Sequence, residues 1–400
     1  MKRPFALIGI TYLSVQAALF YLESDLAAAI LTAVCFIGTI VSLFILKNRN
    51  LRHTVLGFCL TAAFASTIFS GYNIFVKQPI VDKYSEREIY VTATVLEQPT
   101  VQYDTYRYLI ETDSINGKIE KLKICLSTIN ELNVEEFDRI SCVLPLKECT
   151  KSQMIADGAF LQASVNKNFA YIVKKTDDKP LYYQAVKIRE NFADSFEQNM
   201  SQDCASLCRA VLLGEKTALS QEIQNDFTRC GVSFLIVVSG MHLAIISSFV
   251  FLCIKKIIKN RVLRSMIMLM CAFSFMAVTG FAPSVVRAGV MLAVVYSGKM
   301  FMRKGDSLNS LGIAALILTV PNPTAVADVG MLLSFTATLG IILWARKISV
   351  YIMGKFAKLK RLKKPVEFTV NLFAVSLSLI HILRAHETLS DLVCRLLLEK

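Results

Sequence analysis

The sequence predicts an α+β membrane protein: a polytopic bundle of transmembrane helices that carries a small exported β-barrel. Three observations predict it. Of 400 residues, 54% are hydrophobic and only 19% charged, and the apolar residues gather in long uncharged runs. Between Lys77 and Lys179 those runs give way to short segments in which apolar and polar residues alternate. The basic residues behind the net charge of +13 concentrate in short connections, at 47–53, 255–264, 303–304 and 346–364. Such loops face the cytoplasm under the positive-inside rule. The polar region itself holds 14 Lys and Arg against 16 Asp and Glu, so the excess charge reports topology and not a nucleic-acid footprint.

Three apolar runs open the chain, at residues 5–22, 26–46 and 54–76. Each is close to the roughly 20 residues that cross a bilayer as a helix. The first follows Lys2 and Arg3 as a secretory signal would, but Glu23 and Asp25 lead at once into the next apolar run, so it reads as a retained anchor. Basic residues before the first run and at 47–53 place the N-terminus in the cytoplasm. Three crossings then put the chain beyond Val76 outside. Residues 1–76 are accordingly three transmembrane helices, and residues 77–180 an exported domain.

That domain reads as strands. Ile89, Val91, Ala93 and Val95 alternate with Tyr90, Thr92 and Thr94. Leu122, Ile124 and Leu126 alternate with Lys121, Lys123 and Cys125. Residues 106–112, 138–146 and 163–173 supply three more, and Asn116-Gly117 marks a turn between the second and third. Five short strands suit a small barrel of the OB type, a scaffold that often holds oligonucleotides. Tyr103, Tyr106 and Tyr108 are candidates for stacking on bases, although aromatic residues in strands more often pack. Eleven cysteines include no Cys-x-x-Cys pair, which removes the common zinc patterns, and no metal or cofactor is expected. Cys125, Cys142 and Cys149 leave room for one disulfide in an exported domain.

Residues 181–230 form surface helices. Leu181, Ala185, Ile188, Phe192, Phe196 and Met200 fall three or four apart, one amphipathic stripe that either lies along the membrane or covers the barrel. A second helix ends at Gly214, and Ser220 caps a third.

The helical core follows at 231–365. Gly231 to Leu243, Gly-Val-Ser-Phe-Leu-Ile-Val-Val-Ser-Gly-Met-His-Leu, sets Ser239, Gly240 and His242 in an apolar run that enters from outside. Ionisable groups in hydrocarbon are costly, so His242 is a functional candidate, weighed against a histidine satisfied by a neighbouring helix. The next run is interrupted at Gly280-Phe281-Ala282-Pro283-Ser284, from which a half-helix would aim its first amides and Arg287 at an anion. Pro321-Asn322-Pro323 makes an outer turn. Asp328 beyond it is either the cap of the next helix or a buried partner of Arg287.

These segments resemble, in order and spacing, the signatures of the ComEC competence family. Residues 231–243, Gly280-Phe281-Ala282-Pro283-Ser284-Val285-Val286-Arg287-Ala288 and Asp328-Val329-Gly330-Met331-Leu332-Leu333-Ser334-Phe335 carry the likeness, with Leu212-Leu213-Gly214-Glu215-Lys216 as its lead-in. Phe234 stands where the family usually has histidine, and Met331 where it usually has Phe. The resemblance implies a multi-pass channel in the bacterial inner membrane that carries single-stranded DNA into the cytoplasm during transformation. Its partners would be single-stranded DNA, the lipid bilayer and DNA-delivering competence proteins. The residues expected along the path are Ser239, Gly240, His242, Ser284, Arg287, Asp328 and Ser334. Many family members end in a metallo-β-lactamase-like domain, but no His-x-His-x-Asp-His run occurs in this sequence, so no catalytic residue is expected.

Residues 366–380 begin a further crossing, and 379–400 resemble translated adaptor sequence, so that tail is expected to be foreign and the natural chain longer. Two other classes compete with a DNA channel. Broken helices also suit a secondary transporter for a small anion. An intramembrane serine hydrolase using Ser239 fits less well, because its base should come from another helix and His242 is only three residues along the same one.

Overall fold

A computed structural model describes residues 3–345 and 347, apart from 23–24, 45–48, 98, 103–104, 151, 166–168, 176–181, 216–218, 231–239 and 303–304. The start of the further crossing and the tail expected to be foreign lie outside these residues.

The three opening runs form α1 (Pro4–Leu22), α2 (Asp25–Phe44) and α3 (Arg49–Tyr72). The third does not stop where its apolar run does. It passes through a π turn at Asn73–Lys77 into α4 (Gln78–Tyr84), giving a continuous rod over Leu51–Tyr84 of 34 residues. At 1.5 Å per residue that rod is about 50 Å long, more than a hydrocarbon core needs, so one end projects toward the barrel.

Seven strands follow: β1 (Arg87–Val95), β2 (Thr100–Gln102), β3 (Thr105–Ile115), β4 (Lys123–Thr128), β5 (Arg139–Glu148), β6 (Leu161–Val165) and β7 (Tyr171–Lys174). A short helix, α5 (Ser152–Ala156), lies between β5 and β6. The sheet runs β1-β3-β4-β6-β5 and closes by pairing β5 with β1. Five strands thus make a closed barrel, with β2 and β7 outside the ring. All pairings are antiparallel except β4 with β6. The alternation seen in β1 is literal: Ile89, Val91, Ala93 and Val95 are all buried in the barrel core. Asn116 and Gly117, both at positive φ (48° and 80°), turn the chain after β3. The single segment expected at 163–173 is instead β6 and β7, which pair with different stretches of β5.

Strand β4 departs from simple alternation. Ile124 and Leu126 face the barrel core, yet Cys125 is fully buried too, because it packs in a second cluster with Leu109, Met154, Ile155, Phe160 and Ala327. That cluster joins the outer face of β3 and β4 to α5 and to the helical core. Cys125, Cys142 and Cys149 are all buried, and no disulfide joins them. Burial pushes the Cys142 thiol up to about 12. Tyr108 is buried with its hydroxyl accepting from the Leu132 amide at 2.8 Å, and Tyr106 packs against the barrel core. These two are packing residues, and Tyr103 lies outside the described residues.

Beyond the barrel come α6 (Tyr183–Asn199), α7 (Gln202–Cys208) with a π turn to Leu213, and α8 (Gln221–Arg229). Of the two places open to the apolar stripe of α6, covering the barrel is not the one it takes. Val186, Arg189 and Ala193 point inward, while Ile188, Phe192 and Met200 are exposed. The inner face is chosen by Arg189, whose charge finds buried carboxylates.

The core consists of α9 (Gly240–Ile257), α10 (Arg261–Val278), α11 (Pro283–Met300), α12 (Ser307–Thr319), a 3-10 turn at Pro323–Ala327 and α13 (Val329–Gly340). Among the described residues four helices are long and apolar enough to cross a membrane: Pro4–Leu22, Leu51–Tyr84, Gly240–Ile257 and Arg261–Val278. The protein is a multi-pass membrane protein. The half-helix expected after Ser284 is instead a full helix of 18 residues, about 27 Å long. Pro283 sits at its first position, where the missing N–H costs nothing.

The opening helices are not a separate unit. Where α1 crosses α12, Gly9 meets Gly312 backbone to backbone: a Cβ on Gly9 would lie 2.1 Å from the Gly312 carbonyl oxygen. Membrane helices associate through such small-residue contacts because lipid offers no hydrophobic force between them. Arg3 adds a 2.8 Å ion pair to Asp306, which also caps α12.

Candidate functional site

Four segments far apart in the sequence come together at the barrel-facing side of the helical core. The first junction is between α9 and α11. A Cβ on Gly240 would stand 2.7 Å from the Ala288 Cβ and 3.8 Å from the Ser284 carbonyl oxygen, so glycine is required for the helices to touch here. His242 is half-buried on the same turn of α9. Ser239 lies outside the described residues.

The second junction links α11 with the start of α13. Arg287 is 8% exposed, and its Nη1 donates to Asp328 Oδ2 at 2.9 Å. The other carboxylate oxygen of Asp328 accepts from the Gly330 amide at 2.8 Å. Helix cap and arginine partner are therefore one residue, with one oxygen for each role. Arg287 Nε is buried and has no hydrogen-bond partner among the described residues. Of the first amides of α11, those of Val285 and Val286 both donate to the Ala282 carbonyl. Ser334 lies in α13 about two turns beyond Asp328, and its carbonyl accepts from Thr338 Oγ1. The structure thus joins Gly240 with Ser284 and Arg287 with Asp328.

The third junction carries groups that sequence reading missed. Arg189 on α6 bridges Glu136, from the loop between β4 and β5, and Glu215, just after the π turn. Its contact with Glu215 Oε1 is 3.1 Å, though the Nε–H is not aligned for a hydrogen bond. Arg209 donates to Glu215 Oε2 at 2.9 Å and also pairs with Glu197. Arg189, Glu136 and Glu215 are each at most 6% exposed at the side chain. A Cβ on Gly280 would lie 3.0 Å from Arg189 Nη1, and Gly280 has φ +67°, so this position needs glycine for both space and conformation. Phe281 stacks near Tyr182 at a centroid distance of 5.3 Å. The Leu-Leu-Gly-Glu segment and the Gly-Phe-Ala-Pro segment therefore meet through Arg189. Only Glu215 lay inside a segment that the sequence marked. Arg189 fell on the polar side of its helix and Glu136 in a loop, and neither carries a local pattern.

The barrel rests directly on the Asp328 segment. Ala327 is fully buried among α5, Cys125 and Phe160, and Asn322 Nδ2 donates to the Ala156 carbonyl at 2.6 Å. Burial pushes the Asp157 carboxyl up to about 6; the Lys123 ammonium works against this and Asp328 adds to it. Burial likewise raises Glu136, opposed by Arg189. Crowding by protein, with Asp157 and Glu136 nearby, pushes Glu97 up to about 7, although its side chain reaches water that screens part of this push. Among the described residues no group of three His, Cys, Asp or Glu could hold a metal ion.

Comparison with known proteins fits this convergence. Residues 211–387 match the family described as Competence protein, a span that takes in all four segments and the first part of the tail. Over those residues the chain is similar to that competence family. It is also similar to ComE operon protein 3 of Bacillus subtilis (strain 168), 24% identical over 161 residues. That match covers 40% of this chain and 21% of the relative, so the chain spans about a fifth of the length of the curated protein it matches. No solved structure matches. Within the competence family the departure at position 331 has a physical reading: Met331 is 4% exposed in a cluster with Leu311, Ala314 and Phe335, where an unbranched apolar chain fills the site. Phe234 lies outside the described residues.

Proposed function

We propose that this chain forms part of the path by which single-stranded DNA crosses the bacterial inner membrane during transformation, with the N-terminus cytoplasmic and the barrel exported. The carrying observation is that three of the segments meet through α9, α11 and the start of α13 beside Arg287, a buried arginine with an unused donor, while the fourth joins them through Arg189 at Gly280. A phosphodiester in hydrocarbon is prohibitive, so a strand needs fixed cations and polar backbone along a wet route. Arg287 is such a cation, held by Asp328 until a phosphate competes for its fork. Gly240, His242 and Ser284 line the adjoining crossing of α9 and α11.

We read the barrel as OB-type. Its ring order and its one parallel pair, β4 with β6, support that reading, while the placement of its helix between β5 and β6 departs from the usual one. Tyr106 and Tyr108 are engaged in packing, so contacts of the barrel with DNA would fall on other residues. Proteins that deliver DNA would meet the exported face.

The test is transformation in a naturally competent host whose own gene carries Arg287→Ala, Asp328→Asn or the exchange Arg287→Asp with Asp328→Arg. Arg287→Ala is expected to lower transformants at least a hundredfold at normal membrane abundance. The exchanged pair should stay defective, because the cation has moved off α11. Parental frequency in Arg287→Ala, or full recovery in the exchanged pair, would leave the ion pair a structural tie and remove Arg287 from the path.

A further inference from the structure

The two helices that hold Gly240, Ser284 and Arg287 at one end, α9 and α11, enclose with α10 a cavity of about 420 Å³ at the other. Phe251 comes from α9, Arg261, Arg264 and Ser265 from the first turns of α10, and Tyr296 and Lys299 from the last turns of α11. Among the described residues none of the three cations forms an ion pair. Two of them lie over rings instead. The Arg264 guanidinium carbon is 5.4 Å from the Phe251 centroid, and Lys299 Nζ is 4.4 Å from that of Tyr296 and 5.7 Å from that of Phe251. The two rings are 6.5 Å apart. The Asn260 side chain already takes the Val262 and Leu263 amides, so the positive character here is that of the side chains.

Three uncompensated cations round one cavity repel each other and favour an anion between them. The volume falls in the range of small-molecule sites, roughly 300–1,000 Å³. A lipid headgroup would need the cations alone, whereas rings among them add the stacking face that a nucleobase uses. We infer that this pocket is a nucleotide site, holding one phosphodiester and its base as a single DNA strand reaches the basic side of the helices. The inference rests on the DNA-path reading and adds a second station to it, about 18 Å further along α11 from Arg287, at 1.5 Å for each residue up to Lys299.

The test is binding of a fluorescein-labelled 15-nucleotide oligo-dT, followed by anisotropy, to the full chain in phosphatidylcholine nanodiscs. The pocket triple Arg261→Gln, Arg264→Gln and Lys299→Gln is compared with a charge-matched control, Lys255→Gln, Lys256→Gln and Lys259→Gln, at exposed positions. The pocket triple should weaken binding tenfold or more and flatten the dependence of log affinity on log salt, while the control loses less than threefold. Should the triple fold poorly, the exposed single change Lys299→Gln should still cost about threefold, and Phe251→Leu about fivefold with charge unchanged. Equal losses in the two triples mean that bulk charge binds the strand, and overturn the pocket. A parent that binds DNA while the pocket triple binds as tightly overturns this inference alone; a parent that binds no DNA overturns the path reading and the pocket with it. Thermal stabilisation by added phosphatidylglycerol, lost in the pocket triple with DNA binding unchanged, would make this a lipid site and also overturn it.

Discussion

The two ends of the helical core treat positive charge in opposite ways. Beneath the barrel, Arg189, Arg209 and Arg287 each face a carboxylate at 3.1 Å or less. At the other end of α9, α10 and α11, Arg264 and Lys299 lie over aromatic rings and line a cavity together with Arg261. Arg189, buried between two carboxylates, is a structural tie, and removing any member leaves a stranded charge. A half-exposed arginine over a ring keeps its charge available. Arg189 and Arg209, which tie segments together, thus sit apart from Arg261, Arg264 and Lys299, while Arg287 keeps one buried donor over beside its partner.

Replacing Arg189 should break that contrast most severely. Arg189→Ala strands Glu136 and Glu215 and should cost about 3–5 kcal/mol, the usual penalty for opening a buried ion pair, read as loss of cooperative thermal unfolding of the barrel with the core. Equal stability of the variant would mean that the barrel is held by its apolar contacts around Ala327 alone.

Acid should sharpen the contrast more gently. Asp157 has a folded pKa of about 6, above its ordinary 3.8, so the native state holds the proton more tightly than the unfolded chain. Its contribution is therefore full below about pH 4 and is lost as pH rises through about 6. Asp157→Asn should remove this slope, on the order of 1 kcal/mol per pH unit, and raise stability at pH 7.5 toward the value at pH 5. Melting curves of parent and variant between pH 4.5 and 7.5 decide it; a parent that gains stability over that rise would contradict the assignment.

The smallest effect belongs to the other end. Arg264→Gln removes no carboxylate partner and should change stability by about 0.5 kcal/mol or less, as measured by the same melting experiment. A loss comparable to that of Arg189→Ala would give both ends the same structural role.

Much of the architecture was legible in local patterns. The period of two in β1 named its buried residues, Asn116-Gly117 named its turn, and the apolar runs named α1 to α3, α9 and α10. The site was legible only as segments. Phe192 and Met200 read as one apolar stripe of α6, free to lie along the membrane or to cover the barrel; burying Arg189 against two carboxylates sets the orientation of the helix and leaves that stripe exposed. The interruption at Gly280 read as a broken helix, and proved to be a turn shaped around Arg189.

The sequence by itself determined composition, crossing segments, strand faces and the positions of Gly240, Arg287 and Asp328, because hydrophobic burial imposes short periods that each segment carries alone. Only the tertiary structure decided that Asp328 serves Arg287 and α13 at once, that Arg189 ties Glu136 to Glu215, and that Gly9 lies against Gly312. Those contacts between elements join residues from 26 to 303 positions apart. Charge pairing and close packing depend on distance in space, and no local period records them.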